Sequence, residues 1–311
     1  MLVAAGEWAV RFASRAHVWT NVYGVARSLL ALSTAGTLLF NKSATLFAPV
    51  AGPFPLPPCI GVAKLGFFCL FPSGHLELAR IIAAIALLVV ASGWQPRYTA
   101  FFHWWLSLSF ALAGATLDGG DQLTADLTLL LLPVALTDPR PWHWKSLHFA
   151  NDKSLAQVLK TLLAVSALVV IRLQVAGVYF HAAAAKFRIE EWRDGTALYY
   201  WLTNPIVGAH GWVSSLVSVA ARNDILIPLM TWGAMAIEVS LFMSLVMPKW
   251  AWKYMFLVGI VFHLMIAVFF GLTSFSVTMI GALVLYLRPP ENAFAGIRHI
   301  LQRESRSPAA A

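Results

Sequence analysis

The chain alternates long apolar runs with short polar interruptions, and the runs have the length of a membrane crossing. A helix of about 20 predominantly apolar residues spans the hydrocarbon core of a bilayer. Eight windows approach this, at roughly 22–40, 76–95, 98–117, 122–136, 156–182, 225–247, 252–271 and 274–288, of which the fourth and the eighth are short. The breaks between them carry turn chemistry: Gly93-Trp94-Gln95-Pro96-Arg97 separates two helices tightly, and Thr137-Asp138-Pro139-Arg140-Pro141 ends another. Two interruptions are long. Segment 41–75 is rich in proline (Pro49, Pro53, Pro55, Pro57, Pro58), and segment 183–224 contains an amphipathic stretch from Gly195 to Leu202. Long connections between compact helices are more often functional than not, and either segment could fold over one mouth of a bundle. The pattern predicts an all-α, polytopic transmembrane helix bundle of about eight spans.

Composition supports this solvent assignment. The 311 residues are 59% hydrophobic and 12% charged, with mean hydropathy +0.72. A soluble domain is usually about a quarter charged, and a globule of this size cannot hide so much apolar surface. No repeat of fixed period is present. Residues 1–21, with Glu7, Arg11, Arg15 and His17, form an amphipathic lead-in and not the apolar core of a removable signal peptide. The first span is therefore expected to serve as the targeting signal. Residues 22–290 form the membrane domain, and 291–311 a cytoplasmic tail.

The formal net charge of +8 would in a soluble protein raise nucleic acid as a partner. Here the basic residues sort by loop, and no nucleic-acid role is expected. Arg11, Arg15, Arg97, Arg140, Lys145, Lys153, Lys249, Lys253, Arg298, Arg303 and Arg306 fall on one side of the predicted spans. Lys42, Lys64, Lys186, Arg188, Arg193 and Arg222 fall on the other, diluted by Asp118, Asp121, Glu190, Glu191, Asp194 and Asp224. The positive-inside rule then puts both termini in the cytoplasm, as an even number of spans requires. Trp104, Trp105, Trp142, Trp144, Trp250 and Trp252 lie near span ends, where aromatic belts form.

Cys59 and Cys69 both fall in the first long outer segment. An extracytoplasmic location favours a disulfide, whose short loop would contribute about 3 kcal/mol in the chain-entropy view. A plain staple, a redox-active pair and two free thiols all remain open at this stage. Ionisable residues within spans are costly and face the bundle interior. Arg80, Asp126, Arg172, Glu238 and His263 are such residues. They could pair with one another, Arg172 with Glu238 for instance, or line a polar cavity for proton transfer or substrate. A denser polar group, His75, Asp121, Asp126, His181 and Lys186, gathers at the predicted outer ends of three spans. A lysine there either snorkels to the interface or loses basicity through desolvation and acts as a base. No spacing matches a metal-ligand set.

Several strings, in order, resemble one family: Cys59 with Phe68-Cys69, Gly93-Trp94-Gln95-Pro96-Arg97-Tyr98, His103-Trp104-Trp105, Asp118-Gly119-Gly120-Asp121-Gln122, Leu131 to Arg140, Trp142-His143-Trp144, and Lys186 followed by Trp192-Arg193-Asp194-Gly195. Over about residues 23–290 the chain resembles SdpB-type proteins of the horizontally transferred transmembrane (HTTM) domain superfamily. That superfamily includes the membrane domain of vitamin K-dependent γ-glutamyl carboxylase. The resemblance implies residence in the bacterial cytoplasmic membrane and a role in maturing a secreted antimicrobial peptide toxin. It also implies two partners, an SdpA-like protein and an SdpC-like precursor, besides membrane lipid.

In the carboxylase branch a lysine deprotonates reduced vitamin K and a histidine assists. Lys186 stands where that lysine's motif falls, with one extra residue before Trp192, and the histidine's position falls at Asp121. The resemblance thus implies Lys186, Asp121, His181 and Asp126 as acid–base candidates and a quinone-like molecule as candidate cofactor, without extending to glutamate carboxylation. Two other classes stand beside this one. One is a non-enzymatic scaffold or chaperone for the precursor and its partner. The other is a peptide or proton-coupled transporter built on Arg172, Glu238 and His263.

Overall fold

The computed structural model describes residues 7, 10–13, 16–47, 57, 59–115, 117–145 and 154–294. Most of the proline run in 41–75, and Arg15, Lys153 and the tail arginines, lie outside the described residues. The described residues are helical with no strand. Eight helices of fifteen residues or more are numbered here: α1 Asn21–Phe40, α2 Leu76–Ala91, α3 Pro96–Ala113, α4 Gly119–Leu136, α5 Leu155–Lys186, α6 Leu226–Met243, α7 Lys249–Phe270 and α8 Thr273–Leu287. They coincide with the eight windows of the sequence. Among the described residues five segments are long and apolar enough to cross a membrane: α1, Ser73–Ala91, α5, α6 and α7. The others are shorter or more polar. The protein is a helical membrane protein, and its chain divides into two compact units within α5, between Ile171 and Arg172.

In the first unit, which comprises residues up to Ile171 and those from Pro289, α1 packs on α2 and α3 on α4. Alanines at Ala31, Ala35, Ala79, Ala83 and Ala84 are fully buried, and let the α1 and α2 backbones approach closely. The α2–α3 turn is tight because Gly93 takes φ +86°, where a side chain would collide with His143. Pro96 then begins α3 at a position where its missing N–H costs nothing. Asp118 caps α4 reciprocally with Asp121.

The loop after α4 closes the same end. Arg140 grips both oxygens of Asp138 (Nη2 to Oδ2 2.8 Å, Nε to Oδ1 2.9 Å) and donates to the carbonyls of His143 and Lys145. Trp144 donates to the Ser92 carbonyl at 2.6 Å, and Trp94 and Trp142 form an antiparallel bridge. At the other end, Cys59 and Cys69 form a disulfide, with Cα atoms 5.7 Å apart. The bond overturns the reading of two free thiols and is common to the staple and the redox-active pair. Between the cysteines two 3₁₀ turns seat Phe68, which is fully buried against Phe47 and Phe110. Ser109 of α3 accepts the Phe67 N–H, and Trp105 donates to the Leu65 carbonyl.

In the second unit, Arg172–Arg288, α7 packs on α8 and more lightly on α6. Gly259 of α7 faces Leu283 so closely that a Cβ there would lie 2.7 Å from it. Tyr286 donates to the Leu241 carbonyl at 2.9 Å. The long segment after α5 folds as three short helices, Glu190–Arg193, Ala197–Thr203 and Trp212–Ala220. The second contains most of the amphipathic stretch seen in the sequence. Leu202, Val213, Val217 and Ile227 form the core between these helices and α6.

Candidate functional site

Lys186 ends α5, and the chain turns sharply after it, with the Ile189 N–H donating to the Lys186 carbonyl. One helical turn later Trp192 comes back over the lysine. Its ring lies 5.0 Å from the ammonium, within cation–π range. Each residue that follows has a positioning task. The Arg193 carbonyl accepts the indole N–H of Trp232 on α6 at 3.1 Å. Asp194 accepts both the N–H and the hydroxyl of Thr196, which holds its carboxyl below the usual carboxylate range. Gly195 takes φ +89°, and a Cβ on it would sit 2.8 Å from Pro228. The string Trp192-Arg193-Asp194-Gly195 is therefore a clamp that docks onto the first turns of α6 and fixes Trp192.

Glu238 is carried further along α6. Lys186 Nζ donates to Glu238 Oε1 at 2.7 Å and lies 3.5 Å from the Ala182 carbonyl. The two side chains retain 21% and 8% of their exposure, so the lysine is the member open to an incoming group. The second carboxylate oxygen, Oε2, is buried and has no hydrogen-bond partner. Seven residues before Lys186 on α5, Tyr179 meets His263 of α7, its hydroxyl 2.9 Å from Nε2. The charge of Glu238 acts electrostatically on Tyr179. His263 Nδ1 is buried without a partner, while its backbone carbonyl accepts from Ser276. Four titratable side chains from three helices thus form two adjacent pairs, each with one unused polar atom. Such an arrangement can hold a proton and pass it between a nitrogen and an oxygen.

The residues singled out in the sequence separate on this frame. Lys186, Glu238 and His263 come together in the second unit. Glu238 pairs with Lys186 and not with Arg172, because Arg172 lies over the Trp252 ring, 4.6 Å from its centroid. His181 is exposed, its ring edge-on to Phe180. Asp121 and Asp126 belong to the first unit. Asp121 is buried, and its Oδ2 accepts the Asp118 N–H at 3.3 Å, whereas Asp126 is exposed. Arg80 is buried and bonds Glu77 and the Leu38 carbonyl. Among the described residues no group of three or more His, Cys, Asp or Glu side chains could hold a metal.

Tyr179 was not among the sequence candidates. Its signal was its spacing of seven from Lys186, which puts both on one helix face. Arg27, His103 and His143, all buried in the first unit, were likewise missed. Arg27 lies inside the first apolar window and carried the same signal as Arg80.

A family model described as HTTM domain matches residues 130–290. An uncharacterized protein of Bacillus subtilis (strain 168), YitO, is 38% identical over 288 residues, covering 91% of each chain. Sporulation-delaying protein SdpB of the same organism is 33% identical over 273 residues, covering 87% of this chain and 82% of that one. No solved structure matches. The HTTM match takes in the Lys186 clamp, Glu238, Tyr179 and His263 together, and the two relatives extend the likeness across the first unit, so the chain belongs to the HTTM-domain family as a protein of the SdpB type.

Proposed function

We propose that this protein is an integral factor of the bacterial cytoplasmic membrane that matures a secreted, SdpC-like antimicrobial peptide toxin together with an SdpA-like partner. The relationship to SdpB supports the pathway. In this reading all eight long helices span the membrane and both termini are cytoplasmic. The sorting of basic residues supports that orientation. The Lys186 site then opens on the outer side, where a secreted precursor would be met.

The observation that carries an acid–base role is the 2.7 Å contact between Lys186 and Glu238, walled by Trp192. The ammonium passes a proton to the carboxylate, which leaves a neutral amine. That amine takes a proton from an acidic group of the bound molecule, and the pair returns the proton to the product or to water. Glu238 Oε2, which has no partner, is free to receive a hydrogen bond from the bound group. A quinone-type cofactor is compatible with these residues and, bound in its reduced form, would supply an acidic hydroxyl. Lys186→Ala at normal protein level should abolish toxin activity, and Lys186→Arg should not rescue it, since a guanidinium keeps the charge but does not act as a base. Full toxin activity from Lys186→Ala cells would overturn this reading.

A scaffold role is favoured by one different observation. The segment after α5 exposes Tyr200, Trp201, Ile206, Trp212 and Val219. Such a surface would hold an apolar precursor for other enzymes. If so, replacing these residues by serine abolishes maturation, while Lys186→Ala and Glu238→Gln leave it intact.

A further inference from the structure

The segment that joins α5 to α6 in the second unit has a composition unlike that of a water-borne loop. Between Gly195 and Ala221 the sequence holds no Asp, Glu, Lys or Arg. The charges stand at its two ends instead, with Arg188, Glu190, Glu191, Arg193 and Asp194 before it and Arg222 and Asp224 after it. Its helices cannot cross a bilayer. The longer, Trp212–Ala220, has 9 residues and is about 14 Å long at the helical rise, under half the thickness of the hydrocarbon core.

Trp212–Ala220 presents three faces, where an ordinary surface helix presents one apolar stripe and one polar side. Val213 and Val217 are buried in the core shared with Leu202 and Ile227. Ser214 and Ser218 form an exposed polar face. Trp212, Leu216 and Val219, spaced by four and then three residues, form a second apolar face and are 71%, 55% and 71% exposed. A helix that met only protein on one side and water on the other would have no use for that second face. Tyr200 and Trp201 on the preceding short helix, and Ile206 in the turn after it, are exposed as well.

The turns of the segment satisfy their own backbone. Asn204 Oδ1 accepts the N–H groups of Ile206 and Val207 at 2.8 and 3.1 Å, and Asn223 Oδ1 accepts those of Ile225 and Leu226 at 3.0 and 2.9 Å. The Ala209 N–H donates to the Leu202 carbonyl at 3.0 Å. The Ser214 and Ser218 hydroxyls donate to the carbonyls of Gly211 and Ser215 at 2.6 and 2.7 Å. A loop in water can leave such groups to solvent, whereas a loop against lipid must bond them internally. The exposed apolar surface also continues along the chain into α6 through Ile225, Leu229 and Trp232. That helix is itself long and apolar enough to cross a membrane.

We propose that this segment is an in-plane membrane anchor, with Trp212, Leu216 and Val219 seated among lipid acyl chains just below the headgroups and Ser214 and Ser218 turned to water. The partner is the lipid of the leaflet at that end of α5 and α6. Helices of this kind sink about 5–10 Å into the boundary between headgroups and chains. Tyr200, Trp201 and Trp212 have the amphipathic rings that favour that depth. The charges that bracket the segment stay at headgroup level, where they keep their hydration. The anchor lies beside the helix ends and does not fold over a mouth of the bundle. Lipid then holds the face that the scaffold role would reserve for a precursor.

The test uses the full chain in nanodiscs, without precursor, carrying one introduced cysteine at a time and labelled there with a nitroxide. Cys59 and Cys69 are bonded to each other and do not take the label. Leu216→Cys and Val219→Cys report on the apolar face, and Ser214→Cys and Ser218→Cys on the polar one. All four positions are exposed, so the label leaves the core undisturbed. Ile206→Cys, in the turn, reports independently of the helix. Collisions are measured with oxygen, which concentrates in lipid, and with a water-soluble nickel chelate. At Leu216→Cys, Val219→Cys and Ile206→Cys oxygen contact should exceed chelate contact several-fold, and at Ser214→Cys and Ser218→Cys the order should reverse. Chelate-dominated contact at Leu216→Cys and Val219→Cys would overturn the proposal, and is what a face held open for a precursor requires. Contact with neither reagent there would overturn it in favour of a protein cover, such as a second copy of this chain. Oxygen-dominated contact at all four helix positions would put the helix inside the hydrocarbon and overturn the in-plane arrangement.

Discussion

Lys186 and Glu238 lie 52 residues apart in sequence and form a 2.7 Å ion pair in which the lysine is one-fifth exposed and the glutamate nearly closed off. Removing one member of such a pair leaves an uncompensated charge in low dielectric, whereas removing both leaves none. Lys186→Met and Glu238→Leu should each destabilise the detergent-solubilised protein by about 3 kcal/mol, discounted toward 2 by the exposure of the lysine. The double substitution should recover most of that loss. Denaturant unfolding of the four proteins gives the coupling directly, and additive single losses would show that the pair is not coupled.

Gly195 is predicted to be intolerant of substitution for two independent reasons. Its φ of +89° disfavours any side chain, and a Cβ would lie 2.8 Å from Pro228. Gly195→Ala should cost about 1–3 kcal/mol and should unseat the clamp from α6. Because Trp192 then leaves the Lys186 ammonium, the proposed acid–base role requires toxin maturation to fall along with stability. Unchanged Tm and activity would mean that the clamp does not position the tryptophan.

His143 makes stability depend on pH. Burial is the main cause that pushes its imidazole well below the ordinary value of 6.5, and the guanidinium charges of Arg27 and Arg140 add to it. The unfolded chain therefore binds a proton that the folded chain resists, below about pH 6.5. Its contribution is fully present above that pH and is lost as the pH falls toward the depressed folded value, at up to about 1.4 kcal/mol per pH unit. Thermal unfolding measured from pH 7.5 to 5 should show this acid loss, and His143→Gln should flatten it. An identical slope in the variant would assign the acid sensitivity to other groups.

The helices were legible because each is a run of apolar residues of nearly membrane length, and their ends were legible where chemistry marks them. Gly93 and Pro96 put the α2–α3 break where the sequence puts it. Side-chain pairing was not legible. The sequence offers Arg172 as one partner for Glu238, because both lie deep in predicted spans, and a polar cavity as the alternative. The partner is Lys186, because the long lysine stem reaches Glu238 from the last turn of α5, while Arg172 is held by the face of Trp252. Distance along a helix axis shows in sequence, but rotation about it relative to a distant helix does not. The same gap hid the buried Arg27, His103 and His143 of the first unit, which come from α1, α3 and a loop and meet only through packing.

The segment between Cys59 and Cys69 should owe more to one aromatic side chain than to the bond between the cysteines. The disulfide closes a short loop, so its removal by Cys59→Ser with Cys69→Ser frees limited chain entropy, about 3 kcal/mol at most. Phe68 is fully buried, 4.9 Å from the Phe47 ring and 6.2 Å from the Phe110 ring, and the turn that carries it is tied to α3 through Ser109. Phe68→Ala removes those contacts and leaves a cavity that the alanine-rich α1–α2 packing cannot collapse into, at about 3–5 kcal/mol. Limited proteolysis distinguishes the two cases. The serine variant should remain resistant within residues 59–75, and Phe68→Ala should become cleavable there even with the disulfide intact. Cleavage of the serine variant alone would reverse the ranking and make the covalent staple the dominant restraint.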